Sequence, residues 1–491
     1  MMFVLRPSIA STHATRLLAA LLLCFAVGCD NGGSGNNGNG EDVGGDTQAA
    51  DTTEDSEVED TATDSDGPDA EDTADDDGVA DTGDDAADGG VEDPLACPTL
   101  PMRDGNEVTV TPDQADQLPE MVRTAEAGTN FLLESGTYEL SSGQALQFRA
   151  QGVTLRSASG NAADVIIDGQ YELNEIAYVV ASDVTIAHVT LTRAVDHAVH
   201  VTATGDATEN TERTLLYGVR IIDCGEQFVK GNPNGSDTAF PDSRRVECSY
   251  FEMTDDGRPN VERNPGGCYT GGIDVHSGRD WVVRNNEFHD IYCAGEGLAE
   301  HAVHFWSDSR GTLTENNLIV NCARAIGYGL VQNGNDREYA DDPYPNVDGH
   351  IGHVDGIIRN NVVFADIDYY DTAIELAQAR GAKVFHNTIY TVDAANKYSS
   401  IDYRFPNTDV TIQNNLVDRI TRRNEASGTV DTNIEGIGAD LFVDPAGMDF
   451  HLADGATDAI DQGVEVAESG VDIDGDPHTA GSGPDIGADE R

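Results

Sequence analysis

The stretch that decides the fold is Gly-Ile-Asp-Val-His-Ser-Gly at 272–278, followed by Trp-Val-Val-Arg-Asn-Asn-Glu-Phe at 281–288. Each half alternates apolar and polar residues, which is typical of a β-strand with one buried face, and a glycine-containing bend separates the halves. The same two-part pattern recurs before and after this stretch. The copies of its first half, including the one already quoted at 272–275, lie at 198–201, 228–230, 272–275, 302–305, 325–328, 373–376 and 400–403.

The second half of the pattern carries an asparagine in one register, namely Asn285, Asn316, Asn360, Asn387 and Asn414. The intervals of 31, 44, 27 and 27 residues between them indicate one coil of a solenoid per repeat, with insertions in the longer intervals. No helical pattern separates the strands, which argues against βαβ units. The remaining solution is a parallel β-helix whose asparagine column satisfies backbone groups at a tight bend.

Period-two alternation assigns each strand residue to the inside or the outside of its coil. One predicted inward stack consists of Val199, Val229, Ile273, Val303, Ile326, Ile374 and Ile401. The next consists of Val201, Val275, Phe305, Tyr328, Leu376 and Tyr403. Between them runs an outward ladder of His200, Lys230, Asp274, His304, Gly327, Glu375 and Asp402. A second outward row consists of Thr202, Asn232, His276, Trp306, Gly329, Ala377 and Arg404.

The first fifth of the chain is unlike a folded domain. In residues 1–28, Arg6 and Arg16 precede an apolar run too short to span a bilayer permanently, which is typical of an export signal. The run ends Ala-Val-Gly-Cys, which resembles a bacterial lipoprotein box and implies that Cys29 carries a lipid. An ordinary cleaved signal with an unmodified Cys29 is the alternative. Residues 29–96 are acidic and almost free of large apolar side chains, so we expect a disordered linker that tethers a folded domain to a membrane.

The chain is strongly acidic, with 491 residues and a formal net charge of −61. Residues 97–491 alone hold 65 acidic and 26 basic residues. Such a charge speaks against nucleic acid as a partner, because no basic patch exists to neutralise phosphates. A halophilic habitat, where salt screens the self-repulsion, and a merely solvated acidic surface explain the charge equally well.

Residues 97–170 are predicted to form the entry to the solenoid. The segment 111–113 opens a helical pattern in which Leu118, Met121 and Val122 share one apolar face. A short amphipathic helix at this place covers the open end of a solenoid, whose edge would otherwise invite pairing with another chain.

The repeats, the capping helix and the asparagine column together resemble the right-handed parallel β-helix proteins of the pectin-lyase-like superfamily. The resemblance covers about residues 100–430. It implies an all-β, single-stranded right-handed parallel β-helix with a short N-terminal capping helix, which we assign to residues 97–436. Residues 437–491, with Leu-Phe-Val-Asp-Pro at 441–445 and Asp-Ile-Gly-Ala-Asp-Glu at 485–490, are similar to the choice-of-anchor Q region that ends many bacterial surface β-helix proteins.

The outward rows bring reactive side chains together around Asp274. Lys230, Asp274, His276 and His304 fall within about 10 Å of one another at the usual spacing of strands in a sheet. In uronate lyases and C5-epimerases a base removes the proton next to the carboxylate, a cation stabilises the resulting charge, and an acid returns a proton. These four residues are therefore the predicted catalytic set. Ordinary cross-strand pairing on an exposed polar face is the alternative.

Four further residues are predicted to bind substrate. Trp306 could stack on a sugar face, Arg279 or Arg404 could meet a carboxylate, and Glu375 belongs to the outward ladder.

A further resemblance concerns the segment 272–276, which is similar to the Asp-Pro-His element of alginate C5-epimerases, with Val275 in place of the proline. That resemblance implies catalytic roles for Asp274 and His276.

The predicted function is that of a polysaccharide lyase or C5-epimerase-like enzyme held at the cell envelope or cell surface. Its partners would be a polysaccharide or cell-envelope glycan and, through the N-terminal lipid, a membrane, and we expect a monomer. A non-catalytic carbohydrate-binding protein and a structural surface lipoprotein are the alternatives. Ca²⁺ is a possible cofactor, because Asp341 and Asp342 lie together in a loop insertion and Asp472, Asp474 and Asp476 near the C-terminus, although chance clusters are expected in so acidic a chain.

Six cysteines follow the linker, which in an exported chain allows up to three disulfides. Cys293 and Cys322 belong to successive coils and form the first predicted pair, for which a reduced stack is the alternative. Cys248 and Cys268 flank one long loop and form the second predicted pair.

Overall fold

The structure, a computed structural model, describes residues 97–491 apart from 142, 206, 262, 265–266, 296, 331–336, 394–396 and 480. The predicted export signal, the lipidation site Cys29 and the acidic linker lie outside the described residues. Within the described part of the chain, no helix is both long and apolar enough to cross a membrane.

Three parallel sheets wind into a right-handed β-helix, and the chain visits the sheets in turn. Most coils contribute one strand to each sheet, and two coils contribute a second short strand to sheet 1, at Ser309–Arg310 and His353–Val354. Sheet 1 contains Glu107–Val110, Asn130–Leu133, Thr154–Ser157, Thr185–Ala187, Leu215–Tyr217, Arg245–Glu247, Val282–Arg284, Ser309–Arg310, Leu313–Glu315, His353–Val354, Ile357–Arg359, Ala379–Phe385, Asp409–Gln413 and Ser427–Asp431. Sheet 2 contains Gly136–Glu139, Val165–Asp168, Thr190–Thr192, Arg220–Ile222, Tyr250–Glu252, Glu287–His289, Leu318–Val320, Val362–Ala365, Thr388–Thr391, Leu416–Val417 and Ile434–Glu435. Sheet 3 contains Leu146–Phe148, Glu175–Val179, His197–Val201, Gln227–Gly231, Gly271–His276, His301–Trp306, Arg324–Tyr328, Thr372–Ala377, Ser399–Arg404 and Ile420–Arg423.

Short elements lie outside these sheets. Two-residue strands pair in parallel at Thr211–Glu212 and Pro241–Asp242, and antiparallel at Arg263–Asn264 and Gly267–Cys268. The 3-10 turns are Pro112–Gln114, Ala162–Asp164, Arg258–Asn260, Ala439–Leu441 and Pro445–Gly447.

The predicted inward stacks are confirmed. All seven residues of the first stack are fully buried, and those of the second are at most 5% exposed. The strands pair in the register that the repeats predict, with Val229 opposite Ile273 and Ile273 opposite Val303. Because the pairing is in register, like side chains stack on like side chains and one continuous core runs along the solenoid.

The predicted cap is also confirmed. A 3-10 turn at Pro112–Gln114, closed by a capping box from Thr111, leads into the α-helix Leu118–Arg123. Leu118 and Val122 are buried in the core of the first coils.

The asparagine column exists, but the predicted register is wrong. The buried ladder consists of Asn286, Asn317, Asn361, Asn387, Asn415 and Asn433. From Asn317 onward, each Oδ1 accepts hydrogen bonds of 2.8–3.1 Å from the backbone N–H and the Nδ2 of the asparagine one coil earlier, and the Oδ1 of Asn286 accepts the backbone N–H of Ser249. Of the predicted residues, Asn387 alone belongs to this ladder.

The other four predicted asparagines stand one position earlier and serve a different purpose. Asn285, Asn316, Asn360 and Asn414 adopt φ values of 52–58°, a left-handed conformation that asparagine tolerates well. Three of them also bind the C-terminal region, through Nδ2 bonds of 2.7–3.1 Å to the backbone carbonyls of Val471, Ser469 and Val464.

The C-terminal region packs on the outer face of sheet 2. Its antiparallel strands Phe442–Asp444 and Asp449–Leu452 contribute Phe442 and Phe450 to a second apolar core. Sheet 2 contributes Val320, Val362 and Phe364, whose neighbours along the strands point inward. The later coils of this face, from Leu318–Val320 onward, are therefore covered by the chain itself.

Both predicted disulfide pairs are wrong. The structure joins Cys97 to Cys248 and Cys268 to Cys293, and leaves Cys322 unpaired and buried. The first bond forms because residues 98–101 run along sheet 1, where Pro98 and Leu100 accept side-chain hydrogen bonds from it. The second joins Cys268, just before the strand Gly271–His276, to Cys293 in the connection that precedes the next strand of sheet 3, His301–Trp306.

His353 is a fully buried histidine, stacked on Tyr328 at 4.2 Å between ring centroids. Its Nε2 lies 2.8 Å from the hydroxyl of Thr312. Burial lowers the pKa of His353 to about 3, with a smaller contribution from His304. The folded state therefore holds this ring neutral.

Replacement of Asn361 by alanine should cost about 3 kcal/mol or more of unfolding free energy, because the buried backbone N–H of Asn317 loses its acceptor, and the Oδ1 of Asn387 and the carbonyl of Thr314 each lose a donor. The same change at Asn433, the half-buried last member, should cost about 1 kcal/mol, since water reaches that site. Urea unfolding followed by circular dichroism measures both values. Equal losses would refute a ladder whose strength depends on burial.

The free energy of unfolding should fall as the pH decreases, and the substitution His353→Gln should make this fall smaller. An unfolded histidine titrates at about pH 6.5, whereas folded His353 titrates at about pH 3. Between these pH values, residue 353 is therefore protonated in the unfolded chain and neutral in the folded one. The wild type should therefore lose about 1.4 kcal/mol per pH unit more than the variant over this range. Urea unfolding of both proteins at several pH values tests this, and parallel pH profiles would contradict it. The other buried histidines are common to both proteins.

Candidate functional site

Neighbouring strands of sheet 3 carry the predicted catalytic side chains on their outer face. Lys230 lies opposite Asp274, Asp274 lies opposite His304, and His276 lies opposite Trp306. The outward rows predicted from the repeats therefore exist, and they bring these five residues together.

A hydrogen-bonded network joins them. Lys230 Nζ donates to Asp274 Oδ2 at 2.5 Å and lies 3.1 Å from His276 Nε2. His276 Nε2 is 3.2 Å from the same carboxylate oxygen. The indole Nε1 of Trp306 donates to Asp274 Oδ1 at 2.7 Å, so both oxygens of Asp274 are engaged.

The Asp274 carboxyl is held ionised. Burial by itself raises its pKa, but the positive charge of Lys230 and the contacts with His276 and His304 outweigh burial and bring the pKa well below its usual value. A carboxylate so stabilised is a poor base. Asp274 is therefore suited to orienting its neighbours and balancing their charge.

Exposure separates the four predicted catalytic residues. The side chains of Lys230, Asp274 and His304 are 4–8% exposed, whereas that of His276 is 16% exposed. Trp306 is packed among them, stacked on His304 at 5.6 Å and edge-on to His276 at 4.1 Å between ring centroids. Stacking of Trp306 on a sugar remains a prediction.

A second group of charges lies farther along the same face. Arg404 forms an ion pair with Glu375, and its Nη1 is 3.5 Å from Asp402 Oδ2. Asp402 is also held by Arg423 at 2.8 Å. Arg404 and Glu375, which were predicted to bind substrate, thus bind each other.

Arg279 lies away from this face, beside a strand of sheet 1, where it pairs with Asp341 at 2.9 Å. Asp341 is also bound by Arg310 at 3.0 Å, and Asp342 Oδ1 accepts the backbone N–H of Tyr344. In the described part of the chain, neither aspartate belongs to a group of donor atoms that could hold a metal ion. The predicted metal pair is instead part of an ion-paired loop.

Sequence reasoning missed His301 and Glu300, which lie beside His304. Strand pairing stays in register here, with His301 opposite Arg324 and Val303 opposite Ile326, but Ala302 is buried next to buried Val303, which interrupts the alternation of inside and outside. Strict alternation places His301 inside, but this irregularity turns it to the outer face with His304. The His-x-x-His spacing was the available signal.

Tyr269 was missed as well. Its hydroxyl lies near Lys230, Asp274 and Gln227, and burial, together with the nearby carboxylates, raises its pKa to about 12. It follows a loop of variable length, so no repeat pattern places it.

No protein-family model and no curated protein matches the chain. Several solved structures are similar. The pectate lyase Pel9A is 15% identical, with a TM-score of 0.46, over 79% of this chain and 97% of that one. An alginate lyase from Paenibacillus sp. str. FPU-7 is 16% identical, with a TM-score of 0.43, over 67% of this chain and 99% of that one. A lacto-N-biosidase from Eubacterium ramulus is 10% identical, with a TM-score of 0.41, over 68% of each chain. At this level the likeness says nothing about activity.

The buried ion pair should show strong non-additivity. Lys230→Met alone leaves the Asp274 charge without its main partner and should cost about 3–5 kcal/mol of unfolding free energy. Adding Asp274→Asn removes that charge and should recover much of the loss. Urea unfolding of the single and double variants measures the coupling. Arg123→Met with Glu120→Gln, an exposed pair, provides a control with coupling of about 1 kcal/mol or less. A coupling no larger than that control would contradict the interpretation.

Proposed function

We propose that the chain is an enzyme that acts on polysaccharide, as a lyase or C5-epimerase of a uronate-containing glycan, with the outer face of sheet 3 as its active site. The observation that carries the proposal is the Lys230–Asp274–His276 network. Desolvating such charges is costly, and a solenoid face does not need them to fold, so their convergence favours a chemical role.

Among the three, His276 is the residue placed to touch substrate. It is the most exposed member, and its ring is fixed between Lys230, Asp274 and the indole of Trp306. The Asp274 carboxylate would stabilise the imidazolium that forms when the ring accepts a proton. Asp274 is then a positioning residue rather than a base.

Lys230 adds a positive charge where negative charge would develop. When His276 removes the proton next to the uronate carboxylate, electrons move into the carboxylate, and a nearby ammonium stabilises that state. In a lyase the bond to the leaving oxygen then breaks and that oxygen takes a proton. In an epimerase a proton returns to the same carbon from the other side.

The acidity of the chain bears on this proposal. A net charge of −61 repels an anionic glycan at long range. Yet one of only three lysines in the sequence lies at this network, and Arg324, Arg404 and Arg423 stand on strands of the same sheet. Because Lys230, Arg404 and Arg423 are paired with carboxylates, these groups add no net positive charge to the face. Binding of an anionic glycan would therefore depend on salt to screen the repulsion.

The test is a panel of uronate-containing and neutral polysaccharides, with and without Ca²⁺, assayed for ultraviolet-absorbing unsaturated ends, for altered uronate stereochemistry and for retardation in affinity electrophoresis. The active glycan should lose turnover by about a hundredfold or more with His276→Gln. His289→Gln, a histidine on sheet 2 paired with Glu287, is the matched control and should retain full activity.

Binding without any product would refute catalysis and favour a carbohydrate-binding protein. Neither binding nor product with any glycan would refute the whole proposal. Equal turnover by the wild type and His276→Gln would remove His276 from its role.

A further inference from the structure

Glu300, His301 and His304 form a compact group beside the Asp274 network. One donor atom from each lies within 4.8 Å of the other two. Glu300 Oε2 is 3.9 Å from His301 Nδ1 and 3.9 Å from His304 Nδ1. We propose that this group binds a divalent transition-metal ion of the zinc class. The inference rests on the geometry of this group and not on the proposed enzymatic activity.

His301 is the first reason. Its side chain is 1% exposed, and within the described residues neither ring nitrogen has a hydrogen-bond partner. Buried polar atoms are nearly always satisfied, so such a ring calls for an explanation. It lies between two carboxylates, with Nε2 3.9 Å from Glu375 Oε2 and Nδ1 facing Glu300.

The tautomer of His304 is the second reason. Its Nε2 lies 3.2 Å from the backbone carbonyl of Gly329, which can only accept a hydrogen bond, so Nε2 carries the hydrogen. Its other nitrogen, Nδ1, faces Asp274 Oδ1 at 3.7 Å and Glu300 Oε2 at 3.9 Å. A metal cation placed between this nitrogen and the Glu300 carboxylate would be attracted by both groups. A carbonyl that fixes the other ring nitrogen is also the usual support of a metal-bound histidine.

The donor types decide the class of metal. Two imidazole nitrogens and one carboxylate oxygen suit zinc and neighbouring transition metals, whereas Ca²⁺ and Mg²⁺ prefer oxygen ligands alone. Bonds of about 2.0–2.2 Å bring tetrahedral donors to about 3.4 Å from one another. The Glu300 Oε2 atom is 3.9 Å from a nitrogen of each histidine, which is about 0.5 Å more than this value and within the reach of side-chain rotation. Three protein ligands leave a fourth position open.

A second group of potential ligands, His451, Asp474 and Asp489, differs in the decisive respect. His451 is half-exposed, and both of its nitrogens already have partners, Asp449 at 2.6 Å and Asp474 at 3.1 Å. It has no unsatisfied buried atom and supports no metal site. It serves as an internal control.

The test is titration of the chelator-treated full chain with Zn²⁺ by calorimetry and with Co²⁺ by visible absorption, which reports the coordination of the ion. The wild type should bind one equivalent of Zn²⁺, and Co²⁺ should give the intense bands of a four-coordinate site. His301→Gln should weaken Zn²⁺ binding by about a hundredfold or more, and Glu300→Gln by about tenfold or more. His451→Gln should leave both unchanged.

Far-ultraviolet circular dichroism establishes that each variant is folded. If His301→Gln does not fold, Glu300→Gln decides the matter, because its side chain is 21% exposed at the edge of the group. The proposal is overturned if the wild type binds no Zn²⁺, if neither substitution weakens binding, or if His451→Gln abolishes it. A chain that binds Zn²⁺ but alters no glycan would leave this site established and refute only the proposed activity.

Discussion

Hydrogen bonds between successive coils are the interaction on which the rest of the molecule depends. Parallel strands in three sheets pair residue for residue, and the buried asparagine ladder repeats the same arrangement with side chains at the bend between sheets 1 and 2. Each asparagine donates to the next and accepts from the previous one, so the bend backbone is satisfied without water. A coil out of register would break both the ladder and the apolar stack.

This constraint also makes the outer face of sheet 3 a suitable place for chemistry. Strand pairing fixes the position of every outward side chain to within the spacing of the sheet, so Lys230, Asp274 and His276 meet without help from mobile loops. The C-terminal region covers the later strands of sheet 2, and the first described residues run along sheet 1. The network of buried charges on sheet 3 lies on the outer face of that sheet, outside both apolar cores.

Prediction from sequence succeeded where the repeat itself carries the information. Alternation identified both inward stacks and the outward rows, since a period of two leaves little freedom once one face is buried. It failed where that period is interrupted or ambiguous. His301 reaches the outer face through an irregularity next to Ala302, and paired asparagines such as Asn316 and Asn317 made either register plausible.

Loops lie outside the repeat, and there the sequence holds little geometric information. The cysteine pairings depended on where the long loop and the first described residues lie, neither of which follows from strand spacing. Arg279 and Asp341 were predicted for different roles and instead bind each other, because the inserted loop brings Asp341 to the side of sheet 1. Residues on strands were placed well, and residues after insertions were not.

The bond between Cys97 and Cys248 has a mechanical consequence. It joins the start of the described chain to a coil 151 residues later. Without this bond, a pulling force applied through the preceding 96 residues would act on the first strand. It would then unfold the coils one after another from that end. With the bond in place, the force passes covalently into the middle of the solenoid at Cys248. The coils between these two cysteines are thereby shielded from tension.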